Sequence, residues 1–198
     1  MMIMPSPERR AYFNRLKPYL TTSLVLFGTG IVIGLMIMQS HPTLADYFED
    51  TLANFVKKFA SMPRSQLAIA IFLNNTLKTL FSILLGALFG VVPAIFLLAN
   101  GIALGVAWSL SSEARGPWLS LLSLLPHGVL ELPAVFLGTS IGLMIGITSL
   151  KRLTGRGDAT IAGEVAQALQ YFCTVIVPLL FVAALVEAFI TAALVAPR

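Results

Sequence analysis

The stretch Leu67–Leu110, LAIAIFLNNTLKTLFSILLGALFGVVPAIFLLANGIALGVAWSL, decides the fold. It is almost unbroken apolar sequence, 44 residues long. As one helix it would extend about 66 Å, roughly twice the hydrocarbon thickness of a bilayer. It has to fold back on itself, and Gly90 and Pro93 supply the break. The stretch therefore predicts two membrane spans, 67–89 and 92–110, joined by a very short turn.

The flanking sequence repeats the pattern. Residues 20–38 form a first span, preceded by Arg9, Arg10, Arg15 and Lys17. Its length and the lack of an A-x-A site after it argue for a retained helix rather than a cleaved leader. Trp118–Leu150 is again too long for one crossing, and Pro126 and Pro133 are its natural breaks. This predicts a half-helix over 118–125, re-entrant or interfacial, and then a span over 127–149. A last span covers 166–194, kinked near Pro178. The segment 43–61 differs in kind. Leu44, Phe48, Leu52, Phe55, Val56 and Phe59 recur at helical spacing among acids and lysines, which predicts an amphipathic helix at the membrane surface.

Composition agrees with the spans. Hydrophobic residues make up 57% of the 198 positions and charged residues 11%, less than half the share usual in soluble domains. The expected fold class is all-α: a single polytopic membrane domain of about five helices, in contact with membrane lipids. Cys173 stands alone, so no intrachain disulfide forms and no cysteine metal site is expected. The net charge of +4 sits mainly at span ends, which suits orientation in a membrane better than nucleic-acid binding. The N-terminal flank, 1–19, and the linker with Lys151, Arg152 and Arg156 are expected on the cytoplasmic side of the cell membrane. The 43–61 segment and the C-terminus are expected outside.

Small residues mark the helix contacts. Gly30/Gly34, Gly86/Gly90, Gly101/Gly105 and the ladder Gly138, Gly142, Gly146 each recur every four residues. Such strips serve packing within the chain or between two copies, and a homodimer is the expected assembly.

Polar residues inside apolar spans are the functional candidates. They are Asn74, Asn75, Lys78, Asn100, His127, Glu131 and Glu187. His127 and Glu131 share a helix face, with Pro126 in the first turn. Such a pair could pin a helix break, carry protons, or hold a metal with help from elsewhere. A metal needs about three or four ligands, and the other histidine, His41, lies in the external segment. There is no H-E-x-x-H, G-x-S-x-G or Gly-rich phosphate loop, so neither an enzyme nor a bound cofactor is expected.

The motifs FLNNTLKTLFSILLGALFG, LLANGIALG, LLPHGVLELPA and VEAFIT appear in that order. Together they resemble the stage II sporulation protein M family of polytopic membrane proteins, over about Leu67 to Thr191. By that resemblance Asn74, Asn75, Asn100, Gly101, His127, Gly128, Glu131 and Glu187 match the family's marker positions. It implies five spans and a non-enzymatic scaffold role, organising other membrane or envelope proteins. In sporulating relatives those partners are cell-wall hydrolases. The alternative reading of the residues is a small dimeric transporter or channel that uses His127, Glu131 and Glu187 for ions or protons.

Overall fold

The computed structural model describes residues 6–40, 47–48, 62–156 and 159–191. Six α-helices account for most of them: α1 (Ser6–Ser40), α2 (Arg64–Leu84), α3 (Val91–Arg115), α4 (Pro117–Leu153), α5 (Ile161–Tyr171) and α6 (Val177–Val186). No strand occurs among the described residues. Among the described residues, five helical segments are long and apolar enough to cross a membrane: Pro7–Ser40, Arg64–Ala87, Val91–Arg115, Glu131–Leu153 and Ile161–Phe189. The expected amphipathic helix over 43–61 lies outside the described residues, apart from Tyr47 and Phe48.

α2 shows which solvent the chain is built for. Its outward face is Ile69, Leu73, Leu77, Phe81 and Leu84, all exposed. Its inward face carries Asn75, Thr79 and Ser82 beside Ala68 and Ile83, with Gly86 in the turn that follows, all buried. Water would select the reverse arrangement. With lipid outside, burying leucine gains little, and small or hydroxylated side chains let backbones approach closely.

The glycine strips interlock inside the chain. A methyl group on Gly30 would sit 2.5 Å from the Leu98 carbonyl oxygen and 3.0 Å from the Gly101 Cα. Gly34 meets Gly105 in the same way, one turn further along both helices. The rising order of both pairs makes α1 and α3 parallel neighbours. Gly86 meets Gly142, and Gly90 meets Gly146, so α2 and α4 are also parallel. Gly138 receives the methyl group of Thr79. The strips that suggested self-association are thus occupied within one chain.

α4 is the central helix. In the apolar stretch of its spanning segment 61% is buried, against 22–33% in the other four spans. Phe136 stacks edge-on against Phe27 of α1, centroids 5.2 Å apart. Ser140 meets Ser23 of α1 at 3.0 Å between hydroxyl oxygens. On another side α4 holds α2 and the turn after it.

Two elements differ from expectation in form. Pro117–Leu153 is one helix of 37 residues, so the backbone does not break at Pro126. A proline removes one amide donor and crowds the preceding turn, which kinks a helix without ending it when neighbours hold both sides. At 1.5 Å per residue this helix is about 55 Å long and outreaches a hydrocarbon core. Likewise α1 starts at Ser6 and continues through Pro18. Just before Pro178, where a kink is expected, the last span widens into a π turn over Phe172–Ile176, and the Val177 amide donates to the Phe172 carbonyl five residues back. A second π turn covers Glu187–Thr191. The reversal between α2 and α3 is tight: Gly90 takes φ 75°, and Phe89 is also left-handed at φ 55°.

Candidate functional site: a polar layer around the central helix

The helix registers place the candidate residues in height. Thr79 against Gly138 aligns α2 with α4. Phe27 against Phe136 aligns α1 with α4, and Gly30 against Gly101 then aligns α3. On these registers Asn75 and Asn100 fall at the height of about residue 134 on α4. Glu131 lies roughly one turn away, about 5 Å along the axis. Three helices thus deliver two carboxamides and a carboxylate to one layer of the bundle. Asn75 and Glu131 are each 8% exposed, and Asn100 is half-buried.

Local chemistry differs at each position. The Asn100 amide donates to the Phe96 carbonyl of its own helix at 2.7 Å. The Asn74 amide donates to the Asn75 side-chain oxygen at 3.0 Å. The Asn75 side chain is thereby held from outside the bundle while it is buried within it. Burying a carboxylate is costly without compensating donors, and carboxamides at matching height are the residue type that can supply them.

Glu187 and His127 lie toward the Arg64 end of the bundle. Phe72 meets Phe181 edge-on at 5.6 Å, and earlier residues of α2 (Ser65, Ala68) share a groove with later residues of the last span (Ala184, Phe189), so α2 and α6 run antiparallel. That register puts Glu187 about two turns beyond the layer. It is half-buried and opens the second π turn, where its amide is shared between the carbonyls of Ala183 and Ala184. π turns widen a helix at the cost of its regular ladder and are frequent at functional positions. His127 is on α4 one turn before Glu131. Its side chain, and the pairing expected with Glu131, lie outside what the structure describes.

The structure separates two candidates from the rest. Asn74 and Lys78, one turn apart on α2, are exposed on the outer face beside Leu73, Leu77 and Phe81. No carboxylate of the described residues lies within ion-pair distance of Lys78.

Other polar contacts had no place among the candidates. Ser23, Thr139 and Ser140 form a hydroxyl cluster with no exposed surface, joining α1 to α4. At the far end, Arg15 of α1 donates to both carboxylate oxygens of Glu164 on α5, at 2.6 and 2.5 Å. The surroundings of this pair carried a sequence signal, although the two charges themselves did not. Tyr12, Leu16 and Tyr19 continue the helical stripe ahead of the first span. Thr160, four residues before Glu164, caps α5 by accepting from the Gly163 amide.

Long apolar helices, an inverted polar face and a polar layer on the central helix define a polytopic α-helical membrane protein. The stage II sporulation protein M family model matches residues 23–192, and the chain belongs to that family. No curated protein and no solved structure matches it.

Proposed function

We propose that the protein is a non-enzymatic scaffold of the cell membrane that organises partner proteins. The observation that carries this reading is the outward placement of Asn74 and Lys78. A lysine facing hydrocarbon well inside a span costs about 2.5–3.5 kcal/mol on insertion scales unless it snorkels or is met by a partner. The polar ridge on α2 is the feature a neighbouring membrane helix can recognise, with a carboxylate for Lys78 and a carboxamide or hydroxyl for Asn74. The interlocked glycines support the same reading, since they make a stiff frame rather than a moving one. A homodimer, if formed, uses a surface other than these strips. In this proposal the N-terminus and the linker after α4 are cytoplasmic, and the C-terminus is external.

The test is site-specific photocrosslinking in cells. A photoreactive residue at Leu77 should give one discrete protein adduct, and one at Val25, exposed on α1, should give none. Lipid adducts alone at Leu77 would remove the scaffold reading.

A second reading rests on a different observation, the burial of Glu131 in the central helix with Glu187 at a π turn. In it His127, Glu131 and Glu187 carry protons or ions. Flux through liposomes holding the purified protein, abolished by Glu131→Gln in a folded variant, would establish transport in place of scaffolding.

A further inference from the structure

An apolar groove of about 220 Å³ runs between the start of α2 and the end of the last span. Ala68 and Ala184 form its floor, 7% and 1% exposed. Ile69, Leu185 and Phe189 stand on its rims and are exposed. Ser65 lies at its outer end, next to Arg64, and Phe72 with Phe181 closes its inner end. We propose that this groove holds one acyl chain of a phospholipid from the leaflet on the Arg64 side, with the headgroup phosphate at Arg64.

The size of the groove selects the occupant. An apolar cavity of about 150 Å³ holds one benzene, so this one takes roughly eight or nine carbons. A partner helix, about 10 Å across with its side chains, is too wide for it. Depth agrees with volume. Ser65 and Phe72 are seven residues apart, about 10 Å along the axis, against about 15 Å for the hydrocarbon of one leaflet. The groove therefore follows a lipid tail from the membrane boundary through most of one leaflet, and then ends at the two rings. A chain lying in it is touched on three sides, whereas a chain on a flat helix face is touched on one. Each added contact is small, but a tail makes many of them.

Charge at the mouth selects a phospholipid as the source of the chain. Arg64 is exposed and begins α2, and the first turn of that helix carries no acidic residue. Pro63 at the cap offers no side-chain acceptor, so the positive end of the helix dipole adds to the guanidinium. Glu187, between Leu185 and Phe189 in sequence, does not line the groove. A phosphodiester joined to an apolar tail answers both features at once.

Fluorescence quenching of the full chain in a maltoside detergent tests the proposal. Phe181→Trp sets a reporter at the inner end of the groove, and Val25→Trp sets a reference on the exposed face of α1. Both carry Trp108→Phe and Trp118→Phe, so each protein has a single indole. The probes are phosphatidylglycerol and diacylglycerol with brominated chains. Phosphatidylglycerol should quench the groove reporter at a lipid-to-detergent ratio about fivefold below that for the reference, the worth of one arginine facing an anionic lipid. Arg64→Gln should remove most of that gap, and diacylglycerol should show none. If Phe181→Trp fails to fold, Leu185→Trp on the rim reads the same contact. Equal ratios for groove and reference would reduce the groove to ordinary lipid-facing surface and overturn the proposal. So would an unquenched groove reporter beside a quenched reference, since a segment of this chain or a second copy would then cover the groove. A gap that survives Arg64→Gln overturns it as well.

Discussion

Arg15 and Glu164 are 149 positions apart in sequence, yet one guanidinium nitrogen bonds both oxygens of the carboxylate. The pair ties the start of α1 to the start of the last span. Glu164 is largely buried, its side chain 10% exposed, while that of Arg15 is 47% exposed. Water therefore screens the attraction from one side, and its worth lies between that of a surface pair and a buried one.

Removing one partner leaves the other carrying charge in a half-closed site. Arg15→Met should destabilise the protein by roughly 1–3 kcal/mol, since Glu164 is then stranded. Arg15→Met with Glu164→Gln should cost less than Arg15→Met alone. Chemical or thermal unfolding of both variants in detergent measures the difference. Equal losses would show that a stranded Glu164 is not what destabilises the single variant.

The glycine interlocks predict a sharp contrast between two glycines of the α1–α3 pair. Gly101→Ala places a methyl group against the Phe27 carbonyl oxygen and the Gly30 Cα, and should cost about 1–3 kcal/mol from overpacking. Gly28 has nothing within 4 Å of the equivalent position. Gly28→Ala should be neutral or slightly stabilising, because alanine favours a helix. Melting temperatures in detergent decide it, and a Gly28 variant as damaged as the Gly101 variant would refute the interlock.

Glu131 separates hydrogen bonding from charge. Glu131→Ala should lower thermal stability, and Glu131→Gln should lose less because it retains hydrogen-bonding capacity. Equal losses in the two variants would mean that the charge itself holds the layer.

Membrane orientation is open to direct labelling. Cysteines introduced at Ser61 and Thr154 should react with impermeant reagents from opposite sides, Ser61 from outside and Thr154 from the cytoplasm. Reaction of both from one side would sink the five-span arrangement.

Span number and the position of the α2–α3 reversal were legible because length and hydropathy act locally. Leu67–Leu110 cannot cross once, and Gly90 lies in the turn that divides it. The path through Pro126 was not legible, since neighbouring helices decide whether a proline kinks or breaks a helix. Within the candidate site, Asn75 and Glu131 were identifiable as polar groups in costly places. That Asn74 and Lys78 face outward depends on which side of α2 meets α4, which periodicity could not assign while apolar residues surround the whole helix. The Arg15–Glu164 pair was hidden because both residues sit in polar flanks, where a charge draws no notice.

The parallel pairing of α1 with α3, and of α2 with α4, bears on how the chain is made. Roughly 70 residues separate Gly30 from Gly101. At ribosomal speeds of about 5–20 residues per second, the first helix waits several seconds in the bilayer before its partner emerges. During that interval its notch at Gly30 and Gly34 is filled by lipid tails. The second helix waits in the same way for the fourth. Assembly is therefore interleaved, with no helical hairpin complete until the next one is under construction, and a chain stalled after α2 has neither of its two glycine locks closed.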